Sequence, residues 1–282
     1  MTLILHENAA KAGRRQAAPG SILIRTDVPF DAPWAWLGAG WRDLWRTPVL
    51  SLGYGATFSI AALVLIVGLF SIGWQSLMLV LAGGFLLVGP MLAVGLYEIS
   101  RRLEAGQPID ARDALFVGVR SPGQLAIMGV VLLIAYLAWV EIALVLFVLF
   151  LGGGGLPPPE EFVTTLLFTP RGLGLLVTGT VVGGLLAATV YSLSALSIPL
   201  LMSRDIDVVT AVSTSVQAVI ANPKPMLLWA ALVAAMCAVG IASLLVGFIV
   251  AFPLIGHATW HAFRAVVHVE EEPEIVPDVT TR

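Results

Sequence analysis

The sequence predicts an all-α polytopic membrane protein: six transmembrane helices form three proline-marked hairpins, with short cytoplasmic interfacial helices. Three observations predict this class, namely an apolar composition, apolar segments of membrane-spanning length and a proline pattern that occurs three times. Of the 282 residues, 58% are hydrophobic and only 12% are charged, and the mean hydropathy is +0.94. Because soluble domains are about half apolar and about a quarter charged, this composition excludes an ordinary soluble globule.

Each predicted span is an apolar segment that reaches the roughly 20 residues a membrane-crossing helix needs. The first four segments are 50–71, 74–99, 124–151 and 173–202. The last apolar block, 225–263, would extend about 58 Å as one helix, whereas the hydrocarbon core of a bilayer is about 30 Å thick. We therefore predict two helices in this block, joined by a tight turn near 240–247.

The distribution of Lys and Arg predicts the orientation of the spans. With six spans and both termini cytoplasmic, every Lys and Arg lies in a cytoplasmic segment except Arg171. Cytoplasmic loops of membrane proteins carry such an excess of positive charge. The sequence therefore predicts a multi-pass membrane protein with both termini cytoplasmic and the lipid bilayer as its surroundings.

Prolines mark a pattern that recurs three times. Each odd-numbered span follows an X-Pro step, and each even-numbered span carries an internal proline; the six prolines are Pro48, Pro122, Pro223, Pro90, Pro199 and Pro253. A helical, two-sided segment precedes each odd span, at 34–46, 110–120 and 207–221. We predict one membrane domain at 31–268, with possible repeats at 31–108, 109–206 and 207–268. The alternative is that membrane helices simply tolerate proline.

The two ends of the chain have the composition of disordered segments. Residues 1–30 lack hydrophobic periodicity, and the tail 269–282 is acidic and interrupted by proline. Such segments bury too little apolar surface to fold on their own. We predict that both are disordered.

Glu141 is the first candidate for an intramembrane ionisable site, because it lies well inside the third predicted span. A charged group at that depth costs a few kcal/mol, and such groups generally face the protein interior and pair with another polar group. One interpretation is a proton or cation site. The other is a protonated carboxylic acid that only packs against a neighbouring helix.

His257 and His261 form the second candidate, as a metal site or an interface anchor. Their i,i+4 spacing places both on one helix face, which suits a metal ion only if other segments supply further ligands. The alternative, which we favour, is that the two histidines anchor the helix end beside Trp260 and Arg264.

The end of the second span carries the third candidate. Tyr97, Glu98, Arg101 and Arg102 have the composition of an interfacial anchor, and the sharper interpretation is a basic pocket for an anionic lipid head group. The fourth span is rich in small and hydroxyl residues, including Gly179 and Gly183. Such residues favour close helix packing, and the alternative is that they line a polar path.

Several functional classes are excluded or left without support. Cys237 is the sole cysteine, so the chain has no internal disulfide framework and no cysteine-rich metal site. No zinc-protease, serine-hydrolase or nucleotide-binding motif occurs, and a net charge of −3 gives no reason to expect nucleic-acid binding. We therefore predict no cofactor, no metal and no enzymatic activity.

Several motifs together resemble a family of uncharacterised bacterial integral membrane proteins. They are Gly40-Trp41-Arg42-Asp43-Leu44, Pro48, Gly89-Pro90, Gly95-Leu96-Tyr97-Glu98-Ile99-Ser100-Arg101-Arg102, Ile198-Pro199-Leu200-Leu201 and Gly256-His257-Ala258-Thr259-Trp260-His261. The resemblance covers about 34–268, implies a location in the bacterial inner (plasma) membrane, and implies no established activity. Some family members are labelled as a cytochrome c oxidase, but the catalytic oxidase subunit needs six histidines and this chain has four.

We interpret the protein as a non-enzymatic accessory or scaffold protein, with a respiratory complex among its potential partners. Short loops and the lack of a catalytic constellation favour this hypothesis. The alternative is a transporter of a small solute, an ion or a lipid that uses Glu141 and the hydroxyl-rich fourth helix.

Overall fold

The computed structural model describes residues 22–74, 77–110, 121–152 and 159–269. In chain order their elements are β1 (Ile22–Ile24), α1 (Ala32–Arg46), α2 (Pro48–Ser71), α3 (Met78–Leu92), α4 (Val94–Glu104), α5 (Pro122–Leu151), α6 (Pro159–Phe168), α7 (Pro170–Ser194), α8 (Ser197–Ser203), α9 (Val208–Ala221), α10 (Pro223–Ala242), α11 (Phe248–Val266) and β2 (Val267–Val269). The predicted all-α class is confirmed.

Four helical segments in the described part of the chain are long and apolar enough to cross a membrane: α2, α5, Pro170–Ser203 and α10. The second predicted span, 74–99, is not one helix, because α3 ends at Leu92 and α4 begins at Val94. Pro90 lacks the amide hydrogen of a regular helix, and the break follows it within three residues. Six spans therefore remain a prediction.

The last apolar block forms two helices, as predicted. α10 ends at Ala242 and α11 begins at Phe248. In the turn between them, Leu244 and Leu245 adopt positive φ angles of 54° and 70°, and the backbone N–H of Gly247 donates to the Ser243 hydroxyl at 2.8 Å.

The three X-Pro steps share one backbone geometry. The residues before the prolines are Thr47, Ser121 and Asn222, with φ/ψ of −131°/55°, −123°/69° and −127°/56°. Each carbonyl accepts the N–H four residues later, at 2.9, 2.9 and 3.1 Å. The helical region is disfavoured for a residue before proline, and proline suits the first helical position. The shared joint supports the repeat interpretation. Helix α1 precedes the joint at Thr47, and helix α9 precedes the joint at Asn222. The predicted helical segment before the joint at Ser121 falls on 111–120, which lies outside the described residues.

Helix α11 is the centre of one half of the bundle, where it packs against α1, α2, α4 and α10. Glycines allow two of these contacts. A Cβ on Gly40 of α1 would lie 2.6 Å from the backbone nitrogen of Ala258, and one on Gly55 of α2 would collide with the carbonyl oxygen of Ile249. The backbones therefore approach closely where these helices cross α11.

Helix α5 is the centre of the other half, where it packs against α3 and α7. A Cβ on Gly84 of α3 would overlap the Tyr136 ring, and one on Gly183 of α7 would lie 2.9 Å from the Trp139 ring. The predicted close packing therefore holds at Gly183. Gly179 has no neighbour within 4 Å of such a Cβ, so it does not belong to the contact.

A two-stranded antiparallel sheet joins the two ends of the described chain, with Leu23 opposite His268. The side chain of Asn222 supports the segment after β1, because its amide donates to the Arg25 carbonyl at 2.7 Å. The prediction that 1–30 is disordered is therefore wrong for 22–30, since the strand partner comes from the far end of the sequence. The predicted tail 269–282 begins with the last strand residue, and 1–21 and 270–282 lie outside the described residues.

Candidate functional site

A network of buried and half-buried polar side chains joins four helices. Its members are Asp43 of α1, Ser51 of α2, Ser100 of α4, and His257 and His261 of α11. It lies near the end of the bundle that carries Arg101, Arg102 and Arg264, which we call the charged end. The relative exposed area of Ser51, Ser100 and His257 is 0%. Because water does not reach these side chains, their hydrogen-bond partners must come from the network itself.

The hydrogen bonds fix the direction of donation along the network. The Ser100 hydroxyl donates to Asp43 Oδ2 at 2.8 Å, so its oxygen accepts from Nδ1 of His257, also at 2.8 Å. In a neutral imidazole this leaves Nε2 as an acceptor, and the Ser51 hydroxyl lies 2.9 Å from it. Both ring nitrogens of His257 are therefore occupied within the protein.

Asp43 is the acceptor at the other end of this chain of hydrogen bonds. His261 Nε2 donates to Asp43 Oδ2 at 2.7 Å. Burial raises the pKa of the Asp43 carboxyl, but the hydrogen bonds from His261 and Ser100 stabilise the carboxylate more strongly, and the net pKa is below its ordinary value. The ionised carboxylate thereby holds α1 against α4 and α11.

Local sequence spacing continues the network through the first X-Pro joint. Asp43, Thr47 and Ser51 are four residues apart, and the Thr47 hydroxyl lies 3.0 Å from the Ser51 hydroxyl and 3.2 Å from the Asp43 carbonyl oxygen. Residues four apart share one helix face, and the short joint preserves that alignment between α1 and α2.

The structure places His257 and His261 on the same face of α11, in this network. Within the described residues, no group of three or more His, Cys, Asp or Glu side chains has the geometry to hold a metal ion. The arrangement also differs from a serine–histidine–aspartate triad, in which the histidine bonds the carboxylate directly. Here Ser100 lies between His257 and Asp43, and Ser51 has no exposed surface.

Glu98, Arg101 and Arg102 form a compact ion cluster at the end of α4. Arg101 binds both carboxylate oxygens of Glu98 at 2.7 Å, and Arg102 Nε donates to Oε1, also at 2.7 Å. The Glu98 side chain is 2% exposed, whereas those of Arg101 and Arg102 are 33% and 23% exposed. Glu98 therefore neutralises one of the two guanidinium charges that it binds.

Glu104 makes a second tie between α4 and α11. Its carboxylate accepts from Trp260 Nε1 at 2.9 Å and from Arg264 Nε at 3.1 Å. The Trp260, His261 and Arg264 segment therefore anchors α11 to α4 and α1.

The sequence grouped Tyr97 with Glu98, Arg101 and Arg102, but its side chain points into a different part of the protein. It is 2% exposed, and it lines a cavity of about 1390 Å³ between α7 and α10. No hydrogen bond of the Tyr97 hydroxyl occurs among the described residues. Tyr97 therefore belongs to the cavity, and Glu98, Arg101 and Arg102 belong to the ion cluster.

Glu141 lies on the outer surface of α5, where its side chain is exposed. The expectation that it faces the protein interior is wrong, because Trp139 and Ala143 occupy the side of α5 that lines the cavity. Glu141 shares its outward stripe with Leu144, Val145 and Val148, which are also exposed.

The hydroxyl groups of the fourth predicted span mostly bond to backbone carbonyls of the same span. Thr189, Ser192, Ser194 and Ser197 each donate to the carbonyl four residues earlier, at 2.7 to 2.9 Å. Such back-bonding removes the hydroxyl hydrogen from other partners. The structure therefore does not bring Glu141 and these hydroxyls into one polar path.

Sequence reasoning missed Asp43, Ser51 and Ser100 as members of a buried network. The four-residue spacing of Asp43, Thr47 and Ser51 across an X-Pro step was the available signal for the first two. For Ser100 no signal exists in the sequence, because its partners lie 57 and 157 residues away.

Together, the apolar helices and the glycine-mediated helix crossings define a polytopic all-α integral membrane protein. Residues 77–203 match the family model described as "Predicted integral membrane protein (DUF2189)". The match contains Pro90, Pro199 and the 95–102 motif, so the resemblance expected from the sequence is confirmed. Neither the curated proteins nor the solved structures gave a match.

Proposed function

We propose that this protein is a non-enzymatic accessory or scaffold protein of the bacterial inner membrane that joins a larger membrane complex through α5. The observation that carries the proposal is the outward position of Glu141 on a 30-residue apolar helix. A respiratory complex is one such partner.

We infer that Glu141 lies within the membrane from its position along α5. It lies ten residues from Leu151 and nineteen from Pro122, or about 15 Å and about 28 Å along the helix axis. A charged side chain at the centre of a membrane helix costs about 2.5–3.5 kcal/mol on insertion scales. A partner that supplies a cation or a hydrogen-bond donor would remove most of this cost.

The neighbours of Glu141 suit a partner helix. Leu144, Val145 and Val148 follow it at i+3, i+4 and i+7, which is the spacing of an α-helical contact stripe. We infer that the partner presents an apolar helix with one basic or amide side chain at the depth of Glu141.

The polar network around His257 supports the non-enzymatic part of the proposal. The most conspicuous polar network, around His257, is saturated by internal hydrogen bonds and has no exposed nucleophile. Both ring nitrogens and both serine hydroxyls serve to hold helices together.

The orientation belongs to the same proposal. Because β1 pairs with β2, the chain enters and leaves the bundle on the same side, which supports an even number of spans. Positive charge is concentrated on that side, and we place both termini in the cytoplasm on this basis.

The test is affinity purification of the tagged protein from native membranes in mild detergent, with co-purifying proteins quantified by mass spectrometry. We expect a stoichiometric membrane partner with the wild type and its loss in Glu141→Leu, whereas Glu141→Gln retains a part because the amide still forms a hydrogen bond.

Glu161→Leu is the matched control, because Glu161 is also an exposed acid but lies on the short helix α6. The control should keep the partner. Wild-type protein that purifies without any partner, or a partner retained equally by Glu141→Leu and the control, would contradict the proposal.

The transporter alternative has a different observation in its favour, which is the cavity between α7 and α10. Its lining is overwhelmingly apolar, so a polar solute or an ion is a poor match and a lipid is the transported class that remains. Wild-type and Glu141→Gln proteins in liposomes should then move labelled lipid between leaflets at equal rates, since Glu141 does not line the cavity.

A further inference from the structure

The cavity between α7 and α10 extends through most of the membrane-spanning length of the bundle. Along α10 its lining extends from Pro223 to Ile241, a distance of about 27 Å along the helix axis. This is close to the roughly 30 Å thickness of the hydrocarbon core. At its far end the lining includes Phe162 and Leu166 of α6.

The cavity lies where two proline-marked units meet without close helix packing. α2 packs against α11 and α5 packs against α3, so an odd-numbered predicted span lies against an even-numbered one in both cases. For α7 and α10, the Tyr191 hydroxyl donates to the Met226 carbonyl at 2.9 Å near the charged end. Beyond this bond the cavity separates the two helices.

Small residues on both walls leave the space open. On α7 and α10 the lining includes Gly179, Gly184, Ala187, Ala230, Ala234 and Ala238. Small residues normally let membrane helices approach closely, but here the two walls stay apart. The open space therefore needs an occupant that supplies the missing dispersion contacts.

Tyr97 is the polar group that points to a particular occupant. Its side chain is 2% exposed and lines the cavity, and in the described part of the chain its hydroxyl has no hydrogen-bond partner. Among the described residues, Ser59 Oγ is the fully enclosed side-chain atom without a partner, so the Tyr97 hydroxyl opens onto the cavity and is free to meet an occupant there. An occupant with a hydrogen-bond acceptor next to its apolar part would satisfy the hydroxyl.

The location of Tyr97 defines where that acceptor lies. Tyr97 precedes Glu98 of the ion cluster directly, at the charged end, and tyrosines favour the boundary between hydrocarbon and head groups. In a diacyl phospholipid the ester carbonyls lie at this boundary, with the acyl chains on one side and the phosphate on the other. Arg101, 33% exposed, is one turn further along α4.

We propose that the cavity binds one diacyl phospholipid, whose acyl chains occupy the space between α7 and α10 and whose ester carbonyl accepts a hydrogen bond from the Tyr97 hydroxyl. The volume of about 1390 Å³ exceeds the roughly 300–1,000 Å³ typical of pockets for drug-sized ligands. It therefore suits a molecule with long chains. Leu144 of the α5 surface used for the proposed function also lines this cavity, whereas Glu141, Val145 and Val148 do not.

The test measures the lipid that remains with the full-length protein after extensive washing in mild detergent, by solvent extraction and mass spectrometry. We expect about one phospholipid per wild-type chain. Ala234→Phe fills the cavity from α10 and should reduce the retained lipid at least tenfold. Ala235→Phe is the matched control, because Ala235 is exposed on α10 but does not line the cavity, and it should retain lipid like the wild type.

Tyr97→Phe tests the hydrogen bond without changing the shape of the side chain. One neutral hydrogen bond corresponds to about a 2- to 10-fold change in affinity, so we expect lipid retention to fall by that factor in a titration with increasing detergent. Because Tyr97→Phe removes only a hydroxyl, it tests the proposal even if Ala234→Phe does not fold.

Three results would overturn the proposal. Equal retention by Ala234→Phe and Ala235→Phe would show only surface lipid, and wild-type protein without lipid would show an unoccupied cavity. Retention of a prenylated quinone in place of a phospholipid would identify a different ligand. Glu141→Leu should retain the phospholipid, so loss of a protein partner and loss of the lipid are distinguishable outcomes.

Discussion

Ser100 shows how one hydroxyl decides whether two ionisable side chains are satisfied. It donates to Asp43 and accepts from His257, and its relative exposed area is 0%. Removing the Ser100 hydroxyl therefore takes one hydrogen-bond partner from Asp43 Oδ2 and one from His257 Nδ1. A buried polar group that loses its partner costs more than the hydrogen bond itself contributes.

We therefore expect Ser100→Ala to lower the free energy of unfolding by about 1–3 kcal/mol. Thermal unfolding in mild detergent measures this change. Ser192→Ala is the control, because the Ser192 hydroxyl bonds only to a carbonyl of its own helix, and its effect should be within about 0.5 kcal/mol. Equal destabilisation by both variants would contradict the central position of Ser100.

Asp43 gives the network a pH dependence. Its pKa in the folded protein is below the ordinary value, because His261 and Ser100 stabilise the carboxylate against the opposing effect of burial. A lowered folded-state pKa contributes stability that is complete above the unfolded-state pKa, near 4, and is lost as the pH falls through the folded-state pKa.

We expect the midpoint of thermal unfolding to fall more between pH 6 and pH 3 for the wild type than for Asp43→Asn, which cannot titrate at this position. Other carboxylates titrate in both proteins, so the difference between the two profiles isolates Asp43. Parallel profiles would show that Asp43 is not stabilised as a carboxylate in the fold.

At the scale of the helices, two glycines of α1 have opposite surroundings. A Cβ on Gly40 would lie 2.6 Å from the Ala258 nitrogen, whereas one on Gly38 would meet only the Arg42 guanidinium at 3.8 Å. Backbone atoms of α11 cannot move aside without moving the helix. The crossing of α1 over α11 therefore depends on Gly40.

We expect Gly40→Ala to destabilise the protein by about 1–3 kcal/mol through overpacking. Gly38→Ala should be neutral or stabilising by up to about 1 kcal/mol, because alanine favours the helix. Chemical or thermal unfolding of the two variants in the same detergent tests this difference in sign. Similar stability of both would mean that α1 does not cross α11 at Gly40.

The sequence predicted the helices better than their contacts. Hydropathy located α2, α5 and α10, and the length argument placed the turn between Ala242 and Phe248. It failed for 74–99, where a break follows Pro90, because a proline inside an apolar segment can either kink or end a helix. It also failed for the side chain of Glu141, since an apolar helix of nearly uniform hydrophobicity gives no indication of which face is buried.

The candidate site was predictable only in part for a related reason. His257 and His261 share a face through local spacing, which the sequence shows. Their partners Ser51 and Asp43 come from helices 206 and 218 residues away, and no local pattern encodes such pairs.

At the scale of the whole molecule, the strand pair joins residues from opposite ends of the described chain. Leu23 lies opposite His268, and both side chains are exposed, whereas Val267 is 1% exposed and points to the other face. Directly opposite residues in a strand pair have Cβ atoms about 4.5–5.5 Å apart, near the range that a disulfide can bridge.

In a Cys237→Ala background, we expect oxidation to form a disulfide in the Leu23→Cys, His268→Cys double variant. The pair Leu23→Cys, Val267→Cys should not form one, because adjacent strand residues point to opposite faces. Mass spectrometry of the digested, unreduced protein detects the linked peptide. Equal cross-linking of both pairs would contradict the register.

The dependence of α1 on α11 also has a consequence for how the protein is made. His257 follows Asp43 by 214 residues, so at about 5–20 residues per second the ribosome delivers it about 10–40 s later. During that interval α1 exposes Gly40 and an unpaired Asp43 to the membrane surface and to the insertion machinery. A chain whose synthesis stops before α11 leaves its first two helices without their main packing partner, which makes such a product a ready substrate for membrane proteases.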